Sequence, residues 1–221
     1  GKWLAVAGGS PGRFGELQLW NVETQKLKYA TTLTFDTLYG VSWSPDGKMI
    51  SVGGTDNTVR GLEAETGKPV LAMGTHSDWV LGTAFSQDGL HLASVSRDMS
   101  VKLTEVAEQR FMDNVTSITP GVLKGGLMAI DRRPVKEKKL QKVPEDTPGL
   151  KPQAYDELLF AGSDGIPRLY KMHRETKRVI GDDANKVKEY EALPGRVSAI
   201  KFDADGTRFV AGSSLDGKGE V

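Results

Sequence analysis

The residues with the clearest capacity for chemistry are two glycine-rich runs, a pair of carboxylates and three histidines. Gly212, Gly217 and Lys218 are spaced like the start of a phosphate-cradling loop, in which backbone N–H groups and a lysine ammonium meet phosphate oxygens. That loop needs a Ser or Thr next in line to hold magnesium, and position 219 is Gly. Gly9 to Gly15 fails as a dinucleotide turn, because Glu16 to Trp20 continues as a strand and no helix N-terminus follows to face a pyrophosphate. Asp203-x-Asp205-Gly206 starts like a calcium loop but lacks the further carboxylates and the closing Glu. His76, His91 and His173 fall in different strands or loops and share no ligand spacing. The absence of Cys removes thiolate nucleophiles, Cys-based zinc sites, disulfides and a c-type haem attachment. No His is carried beside a turn Ser, so a hydroxyl nucleophile has no base. The expectation is no catalytic residue, no metal and no cofactor.

What positions these residues is a repeat. Ser44-Pro45-Asp46-Gly47-Lys48 returns as Ser86-Gln87-Asp88-Gly89-Leu90, 42 residues on, and the same interval separates Val59 from Val101 and Asp56 from Asp98. Asp203-Ala204-Asp205-Gly206-Thr207 is a third copy, and Ser163-Asp164-Gly165 marks the copy between. A fixed period of this size belongs to architectures in which each unit buries its apolar face on the next. Within one period, four short runs (39–44, 49–54, 58–63 and 69–73) are bounded by Gly, Pro, Asp or Asn, as hairpin-connected strands require. Asp-Gly at 46–47, 88–89 and 205–206 supplies the positive φ of a tight turn. Alternation along the first run sets Tyr39, Val41 and Trp43 against Leu38, Gly40 and Ser42. No window of 11 residues shows convincing helical periodicity; Lys136 to Val143 could form a short helix, but its charge density favours a solvated loop. The class is all-β.

These residues resemble the WD40-repeat family: the 42-residue period, the loop ending Gly74-Thr75-His76, Phe85-Ser86-x-Asp88-Gly89, Leu92-Ala93-Ser94-x-Ser96-x-Asp98, and Leu19-Trp20-Asn21 where the family often has Trp-Asp. The resemblance implies a β-propeller of four-stranded antiparallel blades, with irregular repeats similar to bacterial versions. It also implies a hydrogen-bonded tetrad of His, Ser or Thr, Asp and Trp inside a blade. Carried onto this chain, that tetrad is His76, Ser94 and Asp98, with Thr104 at the Trp position.

The expected blades run about 1–33 (partial), 34–76, 77–121, 122–194 (with insertions) and 195–221 (partial). Seventeen strands are expected, the last run ending where a third strand should begin. That count implies a propeller incomplete at both ends, a piece of a longer one whose flanking repeats would be its first partners. Lys+Arg and Asp+Glu balance at 29 each, so no global field draws nucleic acid or an anionic membrane. No apolar run is long enough to span a bilayer, and the chain reads as soluble, cytoplasmic or periplasmic.

Two insertions exceed the repeat, around 131–154 and 171–189. In an antiparallel blade both leave from one end and should project together. The first carries Arg132, Arg133 and Lys136, which, with Phe14, Trp79 and Arg196, are the expected interaction surface. Trp79 stands just before an innermost strand, at a loop-bearing rim where an aromatic anchors a partner well; its alternative role is packing between blades. The leading functional reading is a non-catalytic scaffold for a protein or peptide partner. Two alternatives stand beside it. One is a segment of a bacterial multidomain protein, sensory or fused to a cytochrome module. The other is an enzymatic propeller with its site in the central channel.

Overall fold

The computed structural model describes all residues except 118, 120, 121, 136–138, 143 and 145–152. Lys136 therefore lies outside the described residues. Five antiparallel sheets follow one another along the chain. Blade 1 is β1 (Trp3–Ser10), β2 (Phe14–Asn21) and β3 (Lys26–Thr34); blade 2 is β4 (Leu38–Trp43), β5 (Met49–Gly54), β6 (Val59–Glu63) and β7 (Pro69–Met73). Blade 3 is β8 (Val80–Phe85), β9 (His91–Ser96), β10 (Val101–Glu105) and β11 (Arg110–Asn114). Blade 4 starts with β12 (Leu127–Arg132) and carries a separate hairpin, β13 (Leu140–Gln141) and β14 (Gln153–Ala154). It ends with β15 (Glu157–Gly162), β16 (Arg168–Lys171) and β17 (Lys186–Glu189). Blade 5 is β18 (Arg196–Phe202), β19 (Phe209–Leu215) and β20 (Lys218–Glu220). Among the described residues there is no helix.

Strands β4, β8, β12 and β18 lie side by side as the innermost strands, so the blades are arranged as a β-propeller. Each seam between neighbouring blades is its own apolar cluster. Leu17, Leu19 and Ile50 join blades 1 and 2, and Val59, Val80 and Leu92 join blades 2 and 3. Val95, Leu158 and Phe160 join blades 3 and 4, and Leu159, Val197 and Ile200 join blades 4 and 5. At about 1.5–3 kcal/mol per fully buried large aliphatic or aromatic side chain, these seams dominate the favourable side of folding. They explain why central strands such as β9 are buried on both faces instead of alternating.

Two expectations need correcting. Blade 5 has a third strand: Leu215 pairs with Lys218 and Ser213 with Glu220, across a two-residue turn in which Asp216 and Gly217 both have positive φ. That turn closes a tight hairpin, and it disposes of the phosphate-loop reading, since Gly217 and Lys218 lead into a strand. The described blades therefore hold 18 strands, not 17, beside the β13–β14 hairpin.

The second correction concerns side-chain direction. Tyr39 pairs with Gly53 but Val41 pairs with Val52, so Gly40 is an extra residue, and the facing of the strand resets there. The same shift recurs between Val80 and Gly82, Leu127 and Ala129, and Val197 and Ala199. Simple alternation through β4 is thus broken by a bulge common to the innermost strands. Gly40 has φ 49°, and a Cβ there would stand 2.6 Å from the Cα of Gly82. The bulge brings two blades into backbone contact that only glycine admits.

Candidate interaction site at the channel mouth

The bulged starts of the innermost strands and the turns beside them enclose a cleft of about 640 Å³. Its floor is Tyr39, Leu81 and Met128, which also line a deeper cavity of about 460 Å³ between the innermost strands. The deeper cavity is lined by small, apolar and hydroxyl residues such as Gly82, Thr83 and Ala129, and among the described residues no carboxylate or imidazole reaches it. An enzymatic channel would need such groups to converge there. Lys201, on an inner strand, turns instead to the Asp131 carboxylate at 2.6 Å.

Trp79 forms one wall of the cleft. Its ring stacks on Tyr39, centroids 6.1 Å apart and planes 17° from parallel, and the Arg97 guanidinium lies 4.5 Å from its centroid. Asp78 holds the turn: its carboxylate accepts the Trp79 N–H at 2.7 Å, its backbone carbonyl accepts the Ser96 hydroxyl at 3.0 Å, and its second oxygen is 3.6 Å from Arg97 Nε. Trp79 thus bridges blades 2 and 3 and also lines the open cleft. Arg196 stands at the opposite rim, exposed, its side chain without a hydrogen bond or ion pair among the described residues. Sequence reading named Trp79 and Arg196 but missed Tyr39, Arg97 and Met99, which the bulge and the β9–β10 turn bring beside them.

Phe14 lies elsewhere on the same end of the molecule. It starts β2 next to the Gly15–Thr34 pair, so it neighbours Phe35, which follows β3 and is 90% exposed. Nothing in the repeat pattern pointed to Phe35. Arg132 and Arg133 are partly buried and engaged in ion pairs. Arg132 Nη1 is 3.3 Å from the fully buried Asp156; Arg133 donates to Glu157 at 2.8 Å and to the Gly206 carbonyl at 2.7 Å, tying blade 4 to blade 5. Desolvation raises the Asp156 pKa above the usual carboxylate value, while the Gln87 N–H and Arg132 oppose it. The two insertions do project together: Gln141 Nε2 donates to the His173 carbonyl, joining the β13–β14 hairpin to the β16–β17 connection.

In blade 3, His76 Nδ1 is 2.9 Å from Asp98 Oδ2, and Nε2 is 2.8 Å from Ser94 Oγ. Asp98 also accepts the Ser77 N–H at 3.0 Å and the Ser100 N–H at 3.0 Å. Despite its burial, these donors hold its carboxyl far below the usual range. Thr104, at the Trp position, has a buried hydroxyl without a hydrogen-bond partner in the described structure. The cluster has three members, and it pins the loop at 76–77 to the turn at 98–100.

The other two histidines meet each other. His173 Nε2 lies 3.3 Å from His91 Nδ1, with the rings edge to face and both residues buried. Burial lowers the pKa of His91, and burial together with the neighbouring imidazole lowers that of His173 to about 4. Asp88 and Glu105 face this pair and oppose the shift without cancelling it. Among the described residues no cluster of three or more His, Cys, Asp or Glu could hold a metal.

One motif was overlooked in the sequence. Gly8-Gly9-Ser10-Pro11-Gly12 has the Gly-x-Ser-x-Gly spacing of a nucleophile elbow. Ser10 instead ends β1 and pairs with Phe14 across a strand-to-strand turn, not the strand-to-helix turn that an elbow requires. Among the described residues, no helix is long and apolar enough to cross a membrane.

Two family descriptions match the chain: the anaphase-promoting complex subunit 4 WD40 domain over residues 12–83, and the WD domain, G-beta repeat over residues 67–104. The Periodic tryptophan protein 2 homolog of Caenorhabditis elegans is 22% identical over 217 residues, covering 96% of this chain and 20% of that protein. The WD repeat-containing protein 91 homolog of Dictyostelium discoideum is 27% identical over 84 residues, 38% of this chain and 11% of that protein. A subunit of chromatin assembly factor 1 from Mus musculus is 22% identical over 86 residues, 39% of this chain and 15% of that protein. The chain thus spans no more than a fifth of the length of these relatives. With the repeat, the five antiparallel blades and both family matches in agreement, the chain belongs to the WD40-repeat β-propeller family.

Proposed function

We propose that this propeller is a non-catalytic scaffold that holds a protein or peptide segment in the cleft at its channel mouth. The observation that carries the reading is Trp79: a large aromatic fixed by Tyr39 on one side and Arg97 on the other, facing open volume and not a sealed core. A rigid aromatic in a partly desolvated cleft is the type of residue that dominates interface energies. Supporting this, one matching family description and one similar protein carry names that make them parts of larger assemblies, an anaphase-promoting complex and a chromatin assembly factor.

The test is site-specific photo-crosslinking from position 99, on the cleft rim, with position 140 on the hairpin as control. A partner adduct is expected from 99 only, and Trp79→Ala should weaken the interaction roughly 30-fold, the scale of an interface hot spot. Adducts that survive Trp79→Ala would remove the cleft from the binding surface.

The same reading extends to the outer faces of blades 1 and 5. Leu4 is 53% and Leu27 45% exposed on blade 1, and Val210 is 60% exposed on blade 5. Equivalent faces elsewhere in the fold are covered blade on blade, so we propose that further blades cover these two. Residues 1–221 alone should then self-associate in sedimentation, with the apparent mass rising with concentration. A monomer at all concentrations would count against it.

A further inference from the structure

The charges around the cleft point to the chemistry of its occupant. Three ionisable side chains beside Tyr39 line it: Arg97, Arg196 and Asp78. Asp78 already accepts a backbone N–H and lies near Arg97 Nε, leaving the outer edge of that guanidinium and all of Arg196 for something else. Between these two cations lies an apolar floor, with Tyr39 and Trp79 stacked on one side and Leu81 and Met128 below.

Resting on the reading of this cleft as a docking site, we propose that it selects an acidic peptide segment, an Asp or Glu placed next to an apolar residue. The carboxylate sits between Arg97 and Arg196, and the apolar neighbour packs on Trp79 and Met128. A planar guanidinium matches a carboxylate through paired N–H donors, and Arg97 is held in place by its stacking on Trp79. A Lys or Arg from a partner would meet two guanidinium groups in the same space and be rejected. A polar uncharged residue would leave the Arg196 charge uncompensated as the cleft closes over it.

The probes are three sets of labelled 12-residue peptides, identical but for their centre: Glu-Leu or Asp-Met, the amide counterparts Gln-Leu or Asn-Met, and Lys-Leu. Binding is measured by fluorescence anisotropy to residues 1–221, with a labelled 12-mer oligouridylate as a fourth probe. The acidic set should bind about tenfold or more tighter than the amide set and weaken as salt rises. Arg196→Gln should remove that preference while the thermal transition stays in place, since the Arg196 side chain is exposed and anchors nothing. Trp79→Ala should weaken all peptides together.

Equal binding of acidic and amide peptides, still lost in Trp79→Ala, would overturn the acidic selection and leave the docking reading standing. Acidic preference that persists in Arg196→Gln and in Arg97→Gln would overturn it as well. Oligouridylate binding in preference to every peptide would replace it with a nucleic-acid site. Absence of any Trp79-dependent peptide binding would remove both the selection and the docking reading.

Discussion

Asp98→Ala is expected to cost about 3–5 kcal/mol of stability, the range for removing one partner of a buried charge cluster. The side chain is 6% exposed and has a donor on nearly every side: His76 Nδ1, the N–H groups of Ser77 and Ser100, and the Ser100 hydroxyl at 2.6 Å. Removing it strands a fully buried imidazole and leaves two backbone donors without their acceptor. The loop at 76–77 would lose its tie to the turn at 98–100, which frees the entry to β8 and the wall that carries Trp79. Urea unfolding followed by tryptophan fluorescence reads the effect, with an accompanying fall in Tm of roughly 10 °C. Ser94→Ala, which takes away one neutral bond, should cost only about 1 kcal/mol. If Asp98→Ala unfolds within about 1 kcal/mol of the wild type, the cluster does not hold the blade together.

Mild acid should weaken the domain well before its carboxylates titrate. Burial holds His91 and His173 neutral, with His173 lowered from 6.5 to about 4. A histidine whose folded pKa lies below its unfolded value binds fewer protons folded than unfolded. Stability is therefore full above pH 6.5 and falls as the pH drops from 6.5 toward 4. The His173 shift corresponds to about 3 kcal/mol across that window, and His91 acts in the same direction. Asp156, its pKa raised by burial, works the other way near the lower edge of the window. Asp98 and Asp56, with lowered pKa values, add their loss only below it. Because the pair joins β9 of blade 3 to the insertion of blade 4, that seam should open first. Urea midpoints at pH 7, 6, 5 and 4 test the slope, and His173→Phe, which keeps a ring against His91, should flatten it. An unchanged midpoint between pH 6.5 and 4.5 in the wild type would show that the imidazoles are not held neutral.

The grouping of His76, Ser94 and Asp98 was implied by the resemblance to WD40 repeats, whereas the sequence by itself determined the repeat and the strands of blade 2 to within about a residue. It could do so because turn chemistry is local. Asp46-Gly47 and Asp88-Gly89 fix their own turns through positive φ at the glycine, and identical spacing puts identical groups at identical places in each blade. Trp79, just ahead of β8, and Arg196, the first residue of β18, stood out for the same reason, as positions at the start of an innermost strand. Tertiary structure alone decided where side chains point and what they meet. The bulge at Gly40 reverses the facing of β4, and its cause is the approach of Gly82 from another blade, invisible in either segment read alone. Arg132 and Arg133 read as a basic surface, and only the fold shows that they are paired, with Asp156, Glu157 and the Gly206 carbonyl. His91 and His173, 82 residues apart, share no spacing, and only the folding of blade 4's insertion over blade 3 brings them together. Local conformation follows from the residue and its neighbours in the chain; burial, charge pairing and pKa follow from neighbours in space.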